Sequence, residues 1–247
     1  MPSTSVVEPA AMRPVGILGG MGPEATILLM QKCLAAVAST ATGPLDDADH
    51  IPLIVHQNPQ VPSRIARLIE GQGPDPAPVL AQMARDLAAA GAQALAMPCN
   101  TAHHYADSLR AATALPFLDM ITATADHLTQ ARARRIGMLA SPATRLTGVF
   151  DRALAAQGLV PVWLSDDAPL LDLIRAVKAG QPLSGLAPRM TALCGLAVTR
   201  GADHLLVACT ELSLLTDALP EGVPATDSLD CLTSQIVAFA RPGVSSC

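Results

Sequence analysis

In two stretches of the chain an apolar run ends at a cysteine. Small polar residues and then a helical pattern follow each of these cysteines. In residues 94–103 this cysteine is Cys99, and in residues 202–211 it is Cys209. A buried strand that turns into a helix is the building unit of α/β folds, whose ligands bind beyond the carboxyl ends of the strands. The two thiols are therefore predicted to lie at equivalent positions, each where a strand ends.

Short apolar runs and helical patterns alternate along the rest of the chain, which predicts an α/β fold with a mostly parallel sheet. The predicted strands are 15–18, 51–56, the run that ends at Cys99, 115–118, 134–140, 160–164, the run that ends at Cys209, and 223–226. The predicted helices are 25–37, a helix from 65, 79–90, a helix after Cys99 to about 112, 119–131, 145–157, 170–179, 188–200 and 228–239.

Two parts of the sequence repeat each other. At residues 13–19 and again at 134–140, basic residues come before a short apolar run that has glycine in its second position. Gly91 and Gly201, each followed by alanine, precede the two thiols by eight residues. These repeats indicate an internal duplication of two α/β halves.

The composition narrows the class of protein. The 247 residues carry a formal net charge of −5 and scattered basic residues, which argues against a nucleic-acid partner. No apolar run approaches the roughly 18 residues of a membrane helix, so we predict a soluble protein without membrane contact.

The six cysteines form no CxxC pair and no zinc spacing, which indicates reduced thiols in a cytoplasmic protein. Residues 1–13 are polar and aperiodic and predict a disordered leader.

The setting of Cys99 and Cys209 favours a chemical role. The reactive form of cysteine is the thiolate, and a helix start lowers a thiol pKa from about 8.5 to as little as roughly 3.5–7.5. Most cysteines only pack in the core, and Cys33, Cys194 and Cys231 are predicted to do so. Two thiols in matched settings, by contrast, favour catalysis.

Two further loops follow predicted strands. Residues 19–26 form a glycine-rich turn into a helix, but the GxGxxG pattern of dinucleotide sites is absent, so a nucleotide cofactor is not predicted. Arg64 follows a loop with two prolines. It either faces the ligand edge of the sheet or begins a helix in solvent, and the sequence leaves both open.

These segments together resemble the cofactor-independent aspartate/glutamate racemase superfamily, and most closely its aspartate racemase branch. The matching segments follow the family's order across nearly the whole chain and are 19–26, 58–64, 98–103, 178–180 and 208–211. The glutamate racemase branch typically has His after the second Cys-Thr, whereas this chain has Glu211, which favours the aspartate type. The family commonly has Asp where this chain has Ser63, a departure that can reshape the pocket.

The resemblance implies two pseudo-symmetric α/β lobes with the active site in the cleft between them. The first lobe would comprise residues 14–127 and 227–247, whose helix crosses back, and the second residues 128–226. It also implies a homodimer, a small amino-acid substrate, and neither pyridoxal phosphate nor a metal. In the implied reaction one cysteine, as thiolate, takes the Cα proton while the other returns a proton on the opposite face.

The resemblance also assigns the site residues. Cys99 and Cys209 are the expected catalytic pair, and Arg64 and Lys178 are expected to bind a side-chain carboxylate. Aspartate is thus the first expected substrate and glutamate the second. Without a cofactor, donors must stabilise the α-carboxylate as it gains enediolate character, and those assigned to it are Asn100, Thr101, Thr144 and Thr210. The remaining expected substrate-binding residues are Met21, Gly22, Asn58 and Glu211.

Several alternatives stay open at this point. The superfamily also contains decarboxylases and cis-trans isomerases, although two cysteines with adjacent threonines argue against the one-cysteine decarboxylases. A racemase of broader specificity and a non-enzymatic sensor of acidic amino acids are further alternatives. His103 either tunes the Cys99 thiolate or makes a structural hydrogen bond, and Glu211 either orients the Cys209 loop or assists its proton exchange. The structural role is favoured for both.

Overall fold

The computed structural model describes residues 12–242. Most of the predicted leader and Cys247, predicted to be a free tail thiol, lie outside these residues. Arg13, at the end of the predicted leader, is held against the C-terminal part of the chain. Its backbone N–H donates to Ala240 O at 3.0 Å, and its Nε donates to Phe239 O at 2.7 Å.

Strands and helices alternate along the described residues, which confirms the α/β class, and all the predicted strands are present. The strands are β1 Val15–Gly19, β2 Leu53–Gln57, β3 Ala94–Ala96, β4 Phe117–Leu118, β5 Arg135–Ala140, β6 Val160–Val162, β7 His204–Ala208 and β8 Ala225–Asp227. The α-helices are α1 Pro23–Ser39, α2 Arg64–Leu68, α3 Ala77–Ala89, α4 Ala106–Ala112, α5 Met120–Gln130, α6 Pro142–Thr147, α7 Asp151–Ala156, α8 Ala168–Lys178, α9 Leu183–Thr199 and α10 Ser228–Ala240. Short 3-10 helices lie at Asp47–Asp49, Thr101–Tyr105 and Leu212–Ala218. None of the helices within residues 12–242 is both long enough and apolar enough to cross a membrane.

The strands form two parallel sheets of four strands each, in the orders β2-β1-β3-β4 and β6-β5-β7-β8. Every neighbouring pair runs parallel, as the alternation of strands and helices predicts. The second order repeats the first with every strand number raised by four. The structure thus repeats one topology in the two parts of the chain where the sequence repeats its motifs.

Close packing explains Gly16 of β1 and Gly137 of β5, the two glycines of the repeated motif. An added Cβ at Gly16 would lie 2.9 Å from Ala92 Cβ, and one at Gly137 would lie 3.0 Å from Ala202 Cβ. These alanines belong to the two Gly-Ala pairs of the sequence. The same close contact, between a strand and the turn that precedes its neighbouring strand, therefore occurs in both sheets.

The helix α10 connects the two parts of the fold. It follows β8 of the second sheet, yet its Leu232 and Ile236 pack in one core cluster with Val15 and Ile17 of β1 and Leu29 of α1. The chain therefore crosses back to the first sheet, in the manner that the family resemblance implies. The exact lobe boundaries stay a prediction.

Three predicted helices differ from the structure, and one of them, predicted from residue 188, begins at Leu183 and contains Pro188. Residues 145–157 form parts of two short helices, because Gly148 adopts a left-handed φ of 60° and ends α6. The helix predicted after Cys99 begins as the 3-10 helix Thr101–Tyr105 and becomes α-helical only at Ala106. The thiol is therefore not followed directly by the α-helix start that was expected to stabilise its thiolate.

Candidate active site

The candidate site lies at the carboxyl ends of the central strands. In each sheet the connections from the two central strands run in opposite directions, since β1 leads to β2 on one side and β3 leads to β4 on the other, just as β5 leads to β6 and β7 to β8. Loops after such strands diverge and leave a crevice, where open parallel sheets bind ligands. Cys99 follows β3 and Cys209 follows β7, so the two thiols occupy equivalent positions.

A cavity of about 90 Å³ lies between the loops of the two sheets. Its small volume restricts the cavity to a small ligand. The predicted site residues that line it are Met21, Arg64, Cys99, Thr101, Lys178, Cys209 and Glu211. Both thiols thus border one cavity together with both predicted cations.

His103 fixes the loop that carries Cys99. Its buried ring donates from Nδ1 to Cys99 O at 2.9 Å and accepts at Nε2 from the Met120 backbone N–H at 3.3 Å. Burial lowers the pKa of His103, although the charge of Asp119 opposes this. The ring is therefore neutral at pH 7 and holds the backbone of Cys99, which is the structural hydrogen bond that was favoured.

Cys209 belongs to a chain of three polar groups. Its Sγ donates to Glu211 Oε2 at 3.0 Å, and Lys178 Nζ lies 2.6 Å from Glu211 Oε1. Glu211 is buried, so its charge is balanced by the ammonium on one side and hydrogen-bonded to the thiol on the other. Lys178 is the last residue of α8, and Gly180, with a φ of 69°, follows the end of that helix.

The prediction that a helix start lowers the thiol pKa is wrong for Cys209. Burial raises the pKa of the Cys209 thiol well above its ordinary value, and the charge and hydrogen bond of Glu211 raise it further, against the opposing charge of Lys178. The following segment, Leu212–Ala218, is a 3-10 helix with non-helical dihedral angles at Leu215, so little dipole points at the sulfur. Cys209 is consequently a protonated thiol at neutral pH.

Lys178 stays protonated beside it. Burial lowers the pKa of Lys178, but the charge and hydrogen bond of Glu211 outweigh this effect, so the pKa is raised overall. The ammonium and the carboxylate therefore form a stable pair at the edge of the cavity.

Three hydroxyl groups connect the loops of the two sheets. Thr101 Oγ1 lies 3.0 Å from Ser141 Oγ and 2.8 Å from Thr144 Oγ1, and the latter two atoms are 3.0 Å apart. All three residues are buried, and Thr101 and Ser141 line the cavity. A hydroxyl hydrogen rotates to suit its acceptor, so an anion in the cavity can draw a donor from this cluster.

Arg64 lines the cavity from the start of α2. Its Nη1 donates to Pro62 O at 3.0 Å and its Nη2 to Met21 O at 3.2 Å. These carbonyls fix the guanidinium without neutralising its charge. Because Arg64 lines the cavity, it lies at the ligand edge of the sheet. Ser63 Oγ caps α2 by accepting from Ala66 N–H at 3.2 Å, a cap that Asp would form equally well.

Three predicted donors have protein partners already. Asn100 Nδ2 donates to Ser228 Oγ at 3.0 Å, and Ser228 Oγ in turn donates to Val207 O at 2.9 Å. Thr210 Oγ1 donates to Pro98 O at 3.1 Å. Asn100 and Thr210, like Thr144, are absent from the cavity lining. Their side chains therefore hold the two thiol loops in place.

The glycine-rich turn after β1 packs against the loop after β2. An added Cβ at Gly20, which has a φ of 92°, would lie 2.4 Å from the carbonyl carbon of Asn58. Asn58 Oδ1 accepts from Gln60 N–H at 2.9 Å, so this side chain shapes its own loop and does not line the cavity. Gly22 leaves room beside Glu211, since an added Cβ would lie 3.6 Å from Glu211 Oε1.

Sequence reasoning did not assign four of the residues that line the cavity, namely Ser63, Ile65, Ser141 and Ile174. Ser141 follows β5 as Gly20 follows β1, so the repeat offered a signal for it. Ile174 lies inside α8, where an apolar residue carries no sign of a site.

The other described cysteines have no part in the cavity. Cys33, Cys194 and Cys231 are free and buried, which confirms their prediction as core residues. Among residues 12–242, no three side chains of His, Cys, Asp or Glu are arranged to hold a metal ion.

Comparisons with known proteins agree with this geometry. A family model described as Asp/Glu/hydantoin racemase matches residues 18–236. The broad specificity amino-acid racemase RacX of Bacillus subtilis (strain 168) is 25% identical over 224 residues, which cover 90% of this chain and 96% of RacX. The solved aspartate racemase of Picrophilus torridus has a TM-score of 0.81 at 25% identity, with 92% of this chain and 94% of that one covered. Glutamate racemase RacE1 of Bacillus anthracis shares the fold, with a TM-score of 0.61 at 14% identity over 93% of this chain and 81% of that one. The matched residues include both thiol loops and both sheets, and the chain belongs to the Asp/Glu/hydantoin racemase family.

Proposed function

We propose that this protein racemises an acidic amino acid, aspartate first and glutamate second, without pyridoxal phosphate, through Cys99 and Cys209. The observation that supports this most directly is the one small cavity that both thiols border together with Arg64 and Lys178. The similarity to an aspartate racemase supports the same substrate class.

The two thiols enter the proposed reaction in different states. Cys209 begins as a thiol held by Glu211, so it gives a proton to Cα after Cys99, as thiolate, has removed the proton from the opposite face. Each turnover in this direction leaves Cys99 as a thiol and Cys209 as a thiolate, which is the state that begins the reverse direction. A return to the starting state without reverse turnover moves one proton from Cys99 to Cys209, and Glu211 Oε2, 3.0 Å from Cys209 Sγ, is positioned to pass it to that sulfur.

The hydroxyls of Thr101 and Ser141 are the proposed donors to the substrate α-carboxylate. No cofactor takes up the electrons of the broken C–H bond, so donors must stabilise the developing enediolate, and one such donor is worth about 2.7–4 kcal/mol. At about 1.36 kcal/mol per tenfold in rate, this pair is a large part of the catalytic power. Arg64 and Lys178 are the proposed partners of the side-chain carboxylate.

A broader substrate range is the second candidate. Lys178 is paired with Glu211 at 2.6 Å, and Arg64 already donates to two backbone carbonyls. Because Glu211 balances the charge of Lys178 while the carbonyls leave that of Arg64 in place, one unbalanced positive charge, and not two, faces a substrate side chain. The similarity to RacX, a racemase of broad specificity, favours the same hypothesis.

The test is incubation of the purified protein in D2O with both enantiomers of aspartate, glutamate and alanine, without pyridoxal phosphate. Loss of the Cα proton is followed by NMR, and loss of optical rotation by polarimetry. The C99A and C209A variants are compared with C194A, which removes a buried thiol that does not line the cavity. We expect exchange and racemisation of aspartate in the wild type and C194A, and neither in C99A or C209A.

Each other outcome has a distinct meaning. Equal rates with alanine and aspartate would favour the broader range. Racemisation that persists in C209A would contradict the two-thiol mechanism. If aspartate binds but keeps its Cα proton, the protein would be a sensor of amino acids and not a racemase.

We also propose that the protein is a homodimer in a reducing, cytoplasmic compartment. The free state of the five described cysteines supports the reducing compartment. The helix α1 exposes Ile27, Met30 and Leu34 by 51%, 40% and 52%, at a spacing that places them on one face. A second copy would cover this face. Sedimentation equilibrium should give a dimer for the wild type and a monomer for I27E/L34E.

A further inference from the structure

A second cleft, of about 550 Å³, opens along the outer edge of the second sheet, beside the edge strand β6. It is lined by Arg135, Arg145, Pro161, Val162, Trp163 and Arg200, and it shares no residue with the cavity between the thiols. Three of these residues are arginines, and none is acidic. In a chain with a net charge of −5, such a concentration of positive charge calls for an anionic ligand.

Backbone carbonyls hold two of the arginines in place. Arg135 Nε donates to Gly201 O at 2.6 Å, and Arg200 Nε donates to Trp163 O at 2.9 Å. A carbonyl orients a guanidinium but leaves its formal charge in place. Arg135 Nη2 also donates to Arg200 O at 3.4 Å, which leaves Nη1 of Arg135 and both Nη atoms of Arg200 without a hydrogen-bond partner among the described residues.

The third arginine differs in its partner. Arg145 Nη1 lies 3.1 Å from Asp167 Oδ2, and its guanidinium lies 5.4 Å from the ring centroid of Trp163. Within residues 12–242, no carboxylate forms an ion pair with Arg135 or Arg200. The carboxylate of Asp203 accepts from the backbone N–H of Arg135 at 3.0 Å, so the two guanidinium groups themselves remain without an ion-pair partner.

We propose that this cleft binds the phosphate groups of a small phosphorylated molecule. A phosphate monoester carries about −1.5 to −2 charges at pH 7, which matches the two unbalanced guanidinium groups. Arginine forks bind phosphate oxygens in pairs, with stronger hydrogen bonds than neutral donors make. Trp163 provides an apolar wall beside them. The inference is independent of the racemase proposal, because the two sites share no residue.

Trp163 is the only tryptophan of the chain, so its fluorescence reports on this cleft alone. The full chain is titrated with pyrophosphate, ADP and adenosine at constant ionic strength. We expect a saturable change with pyrophosphate and ADP and none with adenosine. Equal affinities would indicate that the phosphate chain alone is bound, and tighter ADP binding would identify a nucleotide as the source.

The variants R200Q and R135Q/R200Q should weaken pyrophosphate binding by about tenfold or more, since hydrogen bonds to charged groups are lost. R85Q removes an exposed arginine of α3 that bonds only to Gln82, and it should bind as the wild type does. Circular dichroism and Cα exchange of aspartate check that the variants are folded. The proposal is overturned if neither phosphate compound gives a saturable change, if R200Q and R135Q/R200Q bind as tightly as R85Q, or if adenosine binds as well as ADP.

Discussion

Glu211 determines the state of one thiol and the charge of one cation. It accepts from Cys209 at 3.0 Å and pairs with Lys178 at 2.6 Å, all at the edge of one cavity. In the proposed reaction, an incoming substrate carboxylate would compete with Glu211 for the ammonium. Binding of an acidic substrate would thus leave Glu211 with less compensating charge and make it a stronger acceptor for the thiol proton.

The substitution E211Q should lower the pKa of the Cys209 thiol. It removes the negative charge and the anionic acceptor that raise this pKa, while burial and the opposing charge of Lys178 stay. The measurement is the pH dependence of Cys209 alkylation, read from its peptide by mass spectrometry. E70Q, at a surface pair with Arg175, should leave the midpoint unchanged. An unchanged or higher midpoint in E211Q would contradict the assigned cause.

The sequence identifies the thiols and cations of the candidate site but not their electrostatics. Cys99, Cys209, Arg64 and Lys178 stand in recognisable local patterns, and all four border the cavity. The pKa of a thiol depends on burial and on charges that arrive from other loops. The local pattern around Cys209 suggested an activated thiolate, and the fold gives a protonated thiol.

At the scale of elements, the two sheets depend on the same contact between a strand and the turn before its neighbour. Leu87 Cβ also lies 3.1 Å from the Cβ that a substitution would add at Gly16, so this site is closed from two sides. Neither neighbour is a flexible side-chain end, and relief requires movement of the backbone.

G16A should therefore lower the free energy of unfolding by about 1–3 kcal/mol, the usual cost of overpacking. The matched control is G195A on the exposed side of α9, where an added Cβ meets nothing within 4 Å. That substitution should stabilise the protein by about 0.5–1 kcal/mol, because alanine favours a helix interior. Urea unfolding measures both, and equal effects of the two would refute the packing argument.

Element prediction succeeds where the signal is local. Each strand is an apolar run bounded by turn residues, so all of them could be located from the sequence. The continuous helix over residues 145–157 could not be excluded, because Gly148 is tolerated within helices and only the packed chain shows its left-handed φ. Thr101, where the 3-10 helix begins, likewise has side-chain partners in Ser141 and Thr144 that are far away in sequence.

At the scale of the whole molecule, buried thiols link folding to pH. Burial raises the pKa of Cys33 and Cys231 to about 12 and that of Cys194 to about 11. In the unfolded chain these thiols titrate near about 8.5. Between these values the folded state keeps protons that the unfolded state has lost.

The free energy of unfolding should therefore fall as pH rises from about 8.5 to about 11, by up to about 1.4 kcal/mol per pH unit for each thiol. Below about pH 8.5 this contribution is fully present. Urea unfolding across this range is compared with the triple variant C33A/C194A/C231A. The variant should be less stable at neutral pH but should lose stability less steeply, and identical slopes would refute the assignment.

The hydroxyl of Ser228 has a consequence for how the protein is made. It joins Asn100, beside one thiol, to Val207, in the strand that leads to the other, across 128 positions of sequence from Asn100. At translation rates of roughly 5–20 residues per second, the ribosome adds Ser228 on the order of ten seconds after Asn100. During that time the Cys99 loop of the growing chain lacks its hydrogen bond to Ser228. The candidate site is therefore complete only once both halves of the chain have been synthesised.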